Sequence, residues 1–106
     1  MKAIIVGAGG FGKEIAFLLE SFSRYELIGF VDDSLKMQNQ ELVGKTVLGT
    51  IDSLLELEEE TAIFLGIASP DIKEKIYQKI NKNNKLIFPN LVASSALVGI
   101  NVQLGI

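Results

Sequence analysis

The stretch KAIIVGAGGFGKE, at residues 2–14, determines the fold that we predict for this chain. Residues 2–6 are rich in branched aliphatic side chains, which is typical of a strand buried on both faces of a parallel sheet. From Gly10 onward, apolar side chains recur at helical spacing and charged side chains lie off that stripe, which predicts an amphipathic helix ending near residues 21–23. The stretch therefore predicts a strand, a glycine-rich turn and a helix.

Three glycines, Gly7, Gly9 and Gly12, spell G-x-G-x-x-G between this strand and this helix. In a phosphate-binding turn, Gly7 permits the tight bend, Gly9 lets a ligand approach the backbone and Gly12 lets the helix pack on the strand. The helix N-terminus then offers unpaired N–H groups and a positive dipole end to a phosphate. Asp32 ends the second predicted strand, where an acidic residue can bind a ribose hydroxyl. Because aspartates at strand ends also cap turns, a turn without a ligand is the alternative.

The rest of the chain continues the alternation of strands and helices. Ser69, Pro70 and Asp71 form a helix start, with an N-cap hydroxyl, a proline and an acid in the first turn. Ser53 and Glu56 resemble a capping box and predict a short helix. The predicted strands cover residues 2–6, 25–31, 44–49, 61–67 and 85–88, the further helices cover 52–57 and 69–81, and residues 34–40 form a loop. This order predicts the α/β class: a small parallel sheet with flanking helices and right-handed crossovers.

Composition excludes several classes of function. At 106 residues, with 48% hydrophobic and 22% charged residues, the chain has the profile of a folded domain. Its net charge of −3 and scattered Lys and Arg residues give no reason to expect a nucleic-acid partner. It has no Cys and no His, so we predict neither a disulfide nor a metal site. No segment resembles a signal peptide or a membrane helix, and we expect a cytoplasmic protein without a membrane partner.

The last fifteen residues follow a different pattern, with a period of six. Val92, Val98 and Leu104 recur at this interval, and each is followed by a small residue. An aliphatic corner and a small neighbour every six residues are typical of a parallel β-helix, although a chance pattern in a strand and a loop is the alternative. We therefore predict two domains, at residues 1–88 and 89–106. Because the repeat is incomplete at Ile106, we expect the sequence to be a piece of a longer protein.

The ligand of the glycine loop has three interpretations. The motif alone favours a nicotinamide dinucleotide, but a dinucleotide fold has two mononucleotide-binding halves and this chain contains little more than one. A single nucleotide is therefore favoured over a dinucleotide. A regulatory domain whose loop binds no ligand is the third interpretation.

The glycine loop, the Asp32–Asp33 pair and the hexapeptides together resemble a known family. The chain is similar to the N-terminal domain of the sugar O-acyltransferases related to sialic acid O-acetyltransferase and of the UDP-4-amino-sugar N-acetyltransferases. The resemblance covers the whole chain, in the segments IIVGAGGFGKEIA, GFVDD, VLGTIDSL, IFLGIASPDIKEKIY and LIFPNLVASSALVG. It implies a Rossmann-like domain that binds a UDP-sugar. A left-handed β-helix would follow, forming a homotrimer and binding acetyl-CoA between subunits.

The same resemblance implies a binding site made of three loops. Backbone groups of the glycine loop would approach the nucleotide-sugar, and the acid pair would contact the uridine. The turn from Gly66 to Ser69 would close the pocket. The implied residues are Gly7, Gly9, Gly10, Phe11, Gly12, Asp32, Asp33, Gly66, Ala68 and Ser69. Gly66 and Ala68 have an alternative role in packing strand against helix.

The sequence departs from the family pattern in three places. Phe11 stands where many relatives carry His, GIASPD replaces a commoner glycine-containing run, and IFPN replaces a common Ile-His-Pro. By the resemblance, the catalytic histidine and the acetyl-CoA site lie beyond Ile106. We therefore expect a nucleotide-sugar-binding module of an acetyl-CoA-dependent sugar acetyltransferase, without transfer activity of its own. An NAD(P)-binding fragment of an oxidoreductase and a non-catalytic regulatory domain are the alternatives.

Overall fold

The structure of this protein, a computed structural model, describes residues 1–89. Their elements, in chain order, are β1 (Lys2–Val6), α1 (Gly10–Leu19), β2 (Glu26–Val31), a first 3₁₀ helix (Leu35–Met37), β3 (Glu41–Leu42), β4 (Lys45–Gly49), a second 3₁₀ helix (Ile51–Glu56), β5 (Thr61–Leu65), α2 (Pro70–Ile80) and β6 (Leu86–Ile87). The hexapeptides predicted to begin a β-helix lie outside the described residues.

The six strands form one sheet in the order β3-β4-β2-β1-β5-β6. The central strand β1 pairs in parallel with β2 and β5, and the pairs β2–β4 and β5–β6 are also parallel. Only β3 runs antiparallel to its neighbour within this sheet. The predicted α/β class is confirmed, and the mostly parallel sheet with helices is consistent with a Rossmann-like fold.

The core lies where the sequence places its branched aliphatic runs. All five residues of β5 and the last four of β1 are buried, as expected for strands covered on both faces. The largest fully buried side chains belong to the sheet, to α1, to the second 3₁₀ helix and to the end of α2: Phe30, Phe64, Ile5, Ile15, Leu54, Ile63, Leu65 and Ile80. None of the helices within residues 1–89 has the length and apolarity needed to cross a bilayer.

The crossovers distribute the helices over both faces of the sheet. Helix α1 connects β1 to β2, which lies on one side of β1 in the sheet. The second 3₁₀ helix connects β4, on that same side, to β5 on the other side of β1. Because parallel crossovers are right-handed, α1 covers one face, and the second 3₁₀ helix and α2 cover the other. The two elements on that second face contact each other.

A hairpin that the sequence did not predict precedes β4. Glu41 pairs with Thr46 and Leu42 with Lys45, so that a two-residue turn joins β3 to β4. Both turn residues have positive φ, +44° at Val43 and +80° at Gly44, as in a type I′ turn. Valine rarely adopts such a conformation, because its branched side chain clashes with the backbone there. The sequence therefore carried only a weak signal for this turn.

Several predicted element ends are wrong by a few residues. Helix α1 ends at Leu19 instead of 21–23, because the chain closes into tighter turns in which the N–H groups of Ser21 and Phe22 bond three residues back. The predicted capping box is also wrong. Ser53 lies inside the second 3₁₀ helix, and its hydroxyl donates to the carbonyl oxygen of Thr50, 2.6 Å away. Strand β5 ends at Leu65, and the predicted loop at 34–40 contains the first 3₁₀ helix.

The connection from β2 to β4 lacks an α-helix on the face that α1 covers. A right-handed crossover would place such a helix beside α1, but the structure has only the first 3₁₀ helix and the hairpin there. A cleft of about 350 Å³ remains between α1 and the first residues of β2 and β4, lined by side chains that include Leu19, Leu27 and Val43. It opens at the N-terminal ends of the strands.

Candidate functional site

The predicted glycine loop lies at the carboxyl-end edge of the sheet, directly after β1. The chain leaves β1 toward β2 on one side, and β5 lies on its other side, so the loop sits at the point where the strand order reverses. Ligands of open α/β sheets bind in the crevice at this topological switch point. The N–H of Gly7 donates to the carbonyl oxygen of Val31, 2.8 Å away, and fixes the start of the loop against the end of β2.

Three of the predicted site glycines pack against one another. A Cβ on Gly12 would lie 2.0 Å from the carbonyl oxygen of Gly7. A Cβ on Gly66 would lie 2.8 Å from the Cα of Gly12, and one on Gly7 would lie 2.8 Å from the carbonyl oxygen of Gly66. Gly7 also has a φ of +102°, which favours glycine. These positions therefore let β1, α1 and the end of β5 approach closely.

The other two glycines of the loop face open space. A Cβ on Gly9 or on Gly10 would meet no atom of residues 1–89 within 4 Å, and both residues are exposed. Gly9 occupies the N-cap of α1 without a side-chain cap, and the first turn contains no acidic residue. The first N–H groups of a helix have no intrahelical partner, and the dipole makes this end positive. The start of α1 can therefore accept an anionic group against its backbone.

Phe11 anchors the start of α1. Its side chain is half-buried and packs against the hydrophobic core. An aromatic ring at this position adds apolar contact area but no hydrogen-bonding group. Any polar contact at this position of the loop therefore involves the backbone.

Asp32 joins the glycine loop to the loop after β2. Its Oδ2 accepts a hydrogen bond from the N–H of Ala8 at 2.9 Å, and its Oδ1 accepts one from the N–H of Ser34 at 2.8 Å. The second bond closes an Asx turn, which is the capping role that the sequence left open as an alternative. The structure thus brings Asp32 to the predicted glycine loop, and both of its carboxylate oxygens accept backbone N–H groups, one from each loop.

Asp33 has a different environment. Its Oδ1 accepts a hydrogen bond from the N–H of Ile51 at 2.9 Å, which links the loop after β2 to the start of the second 3₁₀ helix. Asp33 is exposed, and within residues 1–89 its second carboxylate oxygen has no hydrogen bond. That oxygen can still accept a bond from a ligand.

Gln38 is a further polar residue of the loop after β2, and it was not among the predicted site residues. Its side-chain amide donates to the carbonyl oxygens of Asp32, 2.5 Å away, and Ser34, 3.0 Å away. These two bonds hold Gln38 against the start of the loop after β2. A polar side chain within a predicted loop of seven residues was the available signal, but its partners depend on how the loop folds.

The turn from Gly66 to Ser69 lies beside the glycine loop. The N–H of Gly66 donates to the carbonyl oxygen of Val6 at 2.8 Å, and Gly66 is buried between β1 and α1. Ala68 is exposed, while Ser69 is the N-cap of α2 and accepts a hydrogen bond from the N–H of Ile72 at 3.4 Å. The predicted helix start at Ser69 and Pro70 is confirmed. All three predicted loops therefore lie at one edge of the sheet.

The part of the sequence that contains these loops matches a known protein family. The family model described as the PglD N-terminal domain matches residues 2–80, which contain the three candidate loops. The chain belongs to the PglD N-terminal domain family. None of the curated proteins matches the chain.

Solved structures share the fold of this PglD N-terminal domain. The acetyltransferase domain of PglB from Neisseria gonorrhoeae, in complex with acetyl coenzyme A, is 29% identical, with a TM-score of 0.72 over 85% of this chain and 42% of its own length. UDP-D-quinovosamine 4-dehydrogenase from Vibrio fischeri is 27% identical, with a TM-score of 0.63 over 76% of this chain and 70% of its own. A relationship to the N-terminal domain of sugar acetyltransferases is thus established.

A third solved structure supports the fold alone. A variant of perosamine N-acetyltransferase from Caulobacter crescentus, in complex with CoA and GDP-perosamine, is 21% identical. Its TM-score is 0.73 over 90% of this chain and 44% of its own length. The chain spans less than half the length of both acetyltransferases that it matches.

Two lysines of this PglD N-terminal domain have shifted pKa values. Burial lowers the pKa of Lys73, whose residue is 4% exposed in α2. A hydrogen bond to Asp52, at 2.7 Å, raises the pKa of Lys79. Neither lysine belongs to the predicted site, and Lys79 lies on the exposed surface.

The cleft beside Leu19 and Leu27 is separate from the candidate loops. It opens where β2 and β4 begin, and the glycine loop lies where β1 ends. In open α/β sheets the ligand crevice is at the carboxyl ends of the strands. We therefore assign the candidate site to the glycine loop.

Proposed function

We propose that the chain binds a nucleotide-sugar, specifically a UDP-sugar, at the carboxyl-end edge of its sheet. The observation that carries this proposal is the contrast among the loop glycines. Gly7 and Gly12 are required for packing, whereas Gly9 and Gly10 leave open space before the uncapped N-terminus of α1. A diphosphate fits this arrangement because it needs backbone donors, a positive dipole end and room to approach.

The remaining loops supply the other contacts in this proposal. Backbone N–H groups from Gly9 to Phe11 hold the diphosphate. The loop after β2 holds the uridine, with the second oxygen of Asp33 accepting from a ribose hydroxyl or the base. Ala68 and Ser69 border the ligand from the turn after β5. The exposure of Asp33 and Ala68 supports this distribution, because exposed groups can exchange water for a ligand.

The proposal for the whole protein rests on family membership. We propose that it transfers an acetyl group from acetyl-CoA to the sugar of the bound nucleotide-sugar, and that residues 1–88 are its nucleotide-sugar domain. A left-handed β-helix would begin at residues 89–106, form a homotrimer and carry the acetyl-CoA site and the catalytic base. We propose a cytoplasmic location, where nucleotide-sugars and acetyl-CoA are both available. Residues 1–89 are assigned no contact with acetyl-CoA.

Thermal unfolding in the presence of candidate ligands tests the binding proposal. A ligand that binds only the folded state at a hundred times its Kd adds about 2.7 kcal/mol of stability. For a domain of this size that raises the Tm by about 10–20 °C. We expect this increase with UDP or a UDP-sugar and none with NAD or NADP. Stabilisation by NAD alone would instead support the oxidoreductase alternative, and no response to any nucleotide would support a regulatory domain.

A pair of valine substitutions locates the binding site. Gly10→Val places a branched side chain in the open space at the start of α1, so we expect the UDP response to disappear while the ligand-free Tm stays close to that of the wild type. Phe17→Val is the matched control, because Phe17 is 61% exposed on the same helix, away from its first turn. It should keep the full UDP response. A full UDP response in Gly10→Val would contradict the proposed phosphate position.

A further inference from the structure

The carboxylate of Asp32 connects two loops that are far apart in the sequence. Its two oxygens accept one backbone N–H each, from Ala8 in the glycine loop and from Ser34 in the loop after β2. Hydrogen bonds from backbone N–H to a carboxylate are charge-assisted and are stronger than neutral ones. Because each oxygen accepts one of the two bonds, the plane of the carboxylate is fixed between the two loops.

The bond to Ala8 controls the direction of the glycine loop. Ala8 is 2% exposed, so without Asp32 its N–H would be a buried donor with no partner. It stands between Gly7, which has positive φ, and Gly9, which caps α1 without a side-chain bond. Glycines on either side leave the backbone free to rotate. The hydrogen bond to Asp32 is therefore a side-chain contact that restrains the peptide group between Gly7 and Ala8.

Asp33, the next residue along the chain, provides the contrast. It has one oxygen bonded to the N–H of Ile51 and is exposed, whereas Asp32 is half-buried. Within residues 1–89, the second oxygen of Asp33 accepts no bond. The two acids therefore have different roles, although the sequence presents them as a pair.

We propose that Asp32 is a positioning residue for the phosphate-binding backbone and is not a ligand of the nucleoside. Its carboxylate holds Ala8 so that the N–H groups at the start of α1 are arranged for a diphosphate. This proposal rests on the proposed function, since it assumes that an anionic group binds there. It differs from the sequence-based expectation, in which an acid at this position contacts the ribose or the uridine.

Asp32→Asn tests the proposal with two probes, inorganic pyrophosphate and UDP. An asparagine has one acceptor oxygen, so its NH₂ group faces one of the two N–H donors and a bond is lost. If Asp32 positions the loop, the affinities for pyrophosphate and UDP fall by the same factor, about tenfold for one charge-assisted bond. If the affinity for pyrophosphate stays at the wild-type value while that for UDP falls, Asp32 contacts the nucleoside and the proposal is wrong. It is also wrong if neither affinity changes.

Two control variants separate positioning from general destabilisation. Glu59→Gln makes the same change from acid to amide at an exposed residue whose partner is Lys2. This pair lies at the amino ends of the strands, opposite to the glycine loop. Leu54→Ala destabilises the core of the opposite face without touching the glycine loop. Both should retain wild-type affinity for pyrophosphate under conditions where they are folded. A matching loss of affinity in Leu54→Ala would contradict a specific role for Asp32.

Amide hydrogen exchange measured without any ligand tests the role of Asp32 independently of nucleotide binding. It therefore separates a failure of this proposal from a failure of the proposed function. In Asp32→Asn, we expect the Ala8 or the Ser34 amide to exchange faster relative to core amides such as that of Phe64, whereas Glu59→Gln should leave the pattern unchanged. If the wild type binds neither UDP nor pyrophosphate, the proposed function fails and the exchange data alone test the restraint. Unchanged protection of both Ala8 and Ser34 in Asp32→Asn would overturn the positioning role.

Discussion

Gly12→Ala should destabilise the protein although alanine is the better helix former. The added Cβ would lie 2.0 Å from the carbonyl oxygen of Gly7, and real Cβ atoms essentially never approach another heavy atom closer than 3.0 Å. Helix α1 and β1 would therefore have to separate by about 1 Å at this point. Gly7 has little freedom to move away, because its own Cα faces the backbone of Gly66.

The expected magnitude is the difference between two opposing effects. Alanine in a helix is favoured over glycine by about 1 kcal/mol. Overpacking a well-packed contact costs about 1–3 kcal/mol, and the upper end applies here because backbone opposes backbone. We therefore expect a net loss of about 2 kcal/mol in the free energy of unfolding, which lowers the Tm by about 8–16 °C in a domain of this size.

Gly10→Ala is the matched control for this prediction. It makes the same substitution two residues earlier in α1, where a Cβ meets none of the described atoms within 4 Å. We expect its free energy of unfolding, measured by urea denaturation followed by circular dichroism, to stay the same or rise by up to about 1 kcal/mol. A Gly12→Ala variant as stable as the wild type would refute the packing argument. Equal destabilisation by both variants would show that the effect is not specific to the contact with Gly7.

Three further predictions concern contacts outside the glycine loop. Asn83→Ala should lower the free energy of unfolding in urea by about 1–3 kcal/mol, because the Asn83 amide donates to three carbonyl oxygens around the second 3₁₀ helix, at 3.0, 3.3 and 3.0 Å. Ser69→Ala should lower it by only about 0.5 kcal/mol, since the cap bond to Ile72 is long at 3.4 Å, and Ser69→Asn should restore it. Asp52→Asn should return the pKa of Lys79 toward its ordinary value of 10.5, as measured by NMR. Because a raised lysine pKa stabilises the folded state only below that pKa, any difference in stability from the wild type should vanish as the pH rises through it.

Much of the fold could be predicted from local patterns. The buried runs at β1 and β5, the helical stripe of α1 and the Ser69–Pro70 helix start each lie within a few consecutive residues, and their physical determinants are local. The errors occur where the determinants are weak or short. Strand β3 has two residues and follows no strong turn signal, and the helix predicted at residues 52–57 is a 3₁₀ helix whose Ser53 does not cap it.

The candidate site was predicted less completely. The glycine pattern located the turn between β1 and α1, because the pattern and the turn occupy the same few residues. The partner of Asp32 could not be predicted in this way, since Ala8 lies 24 residues earlier in the chain. The role of Gly66 also depends on an approach of β5 to the glycine loop, which no short stretch of sequence specifies.

For the opening stretch KAIIVGAGGFGKE, the sequence by itself determined that a buried strand leads through a flexible turn into an amphipathic helix, because hydrophobic periodicity and glycine act over a few residues. The tertiary structure decided which glycines serve packing and which leave space. Gly7 and Gly12 are enclosed by each other and by Gly66, which directly follows β5, whereas Gly9 and Gly10 face outward. The reason is physical: steric exclusion depends on what lies across a contact, and the order of strands in the sheet brings those neighbours together.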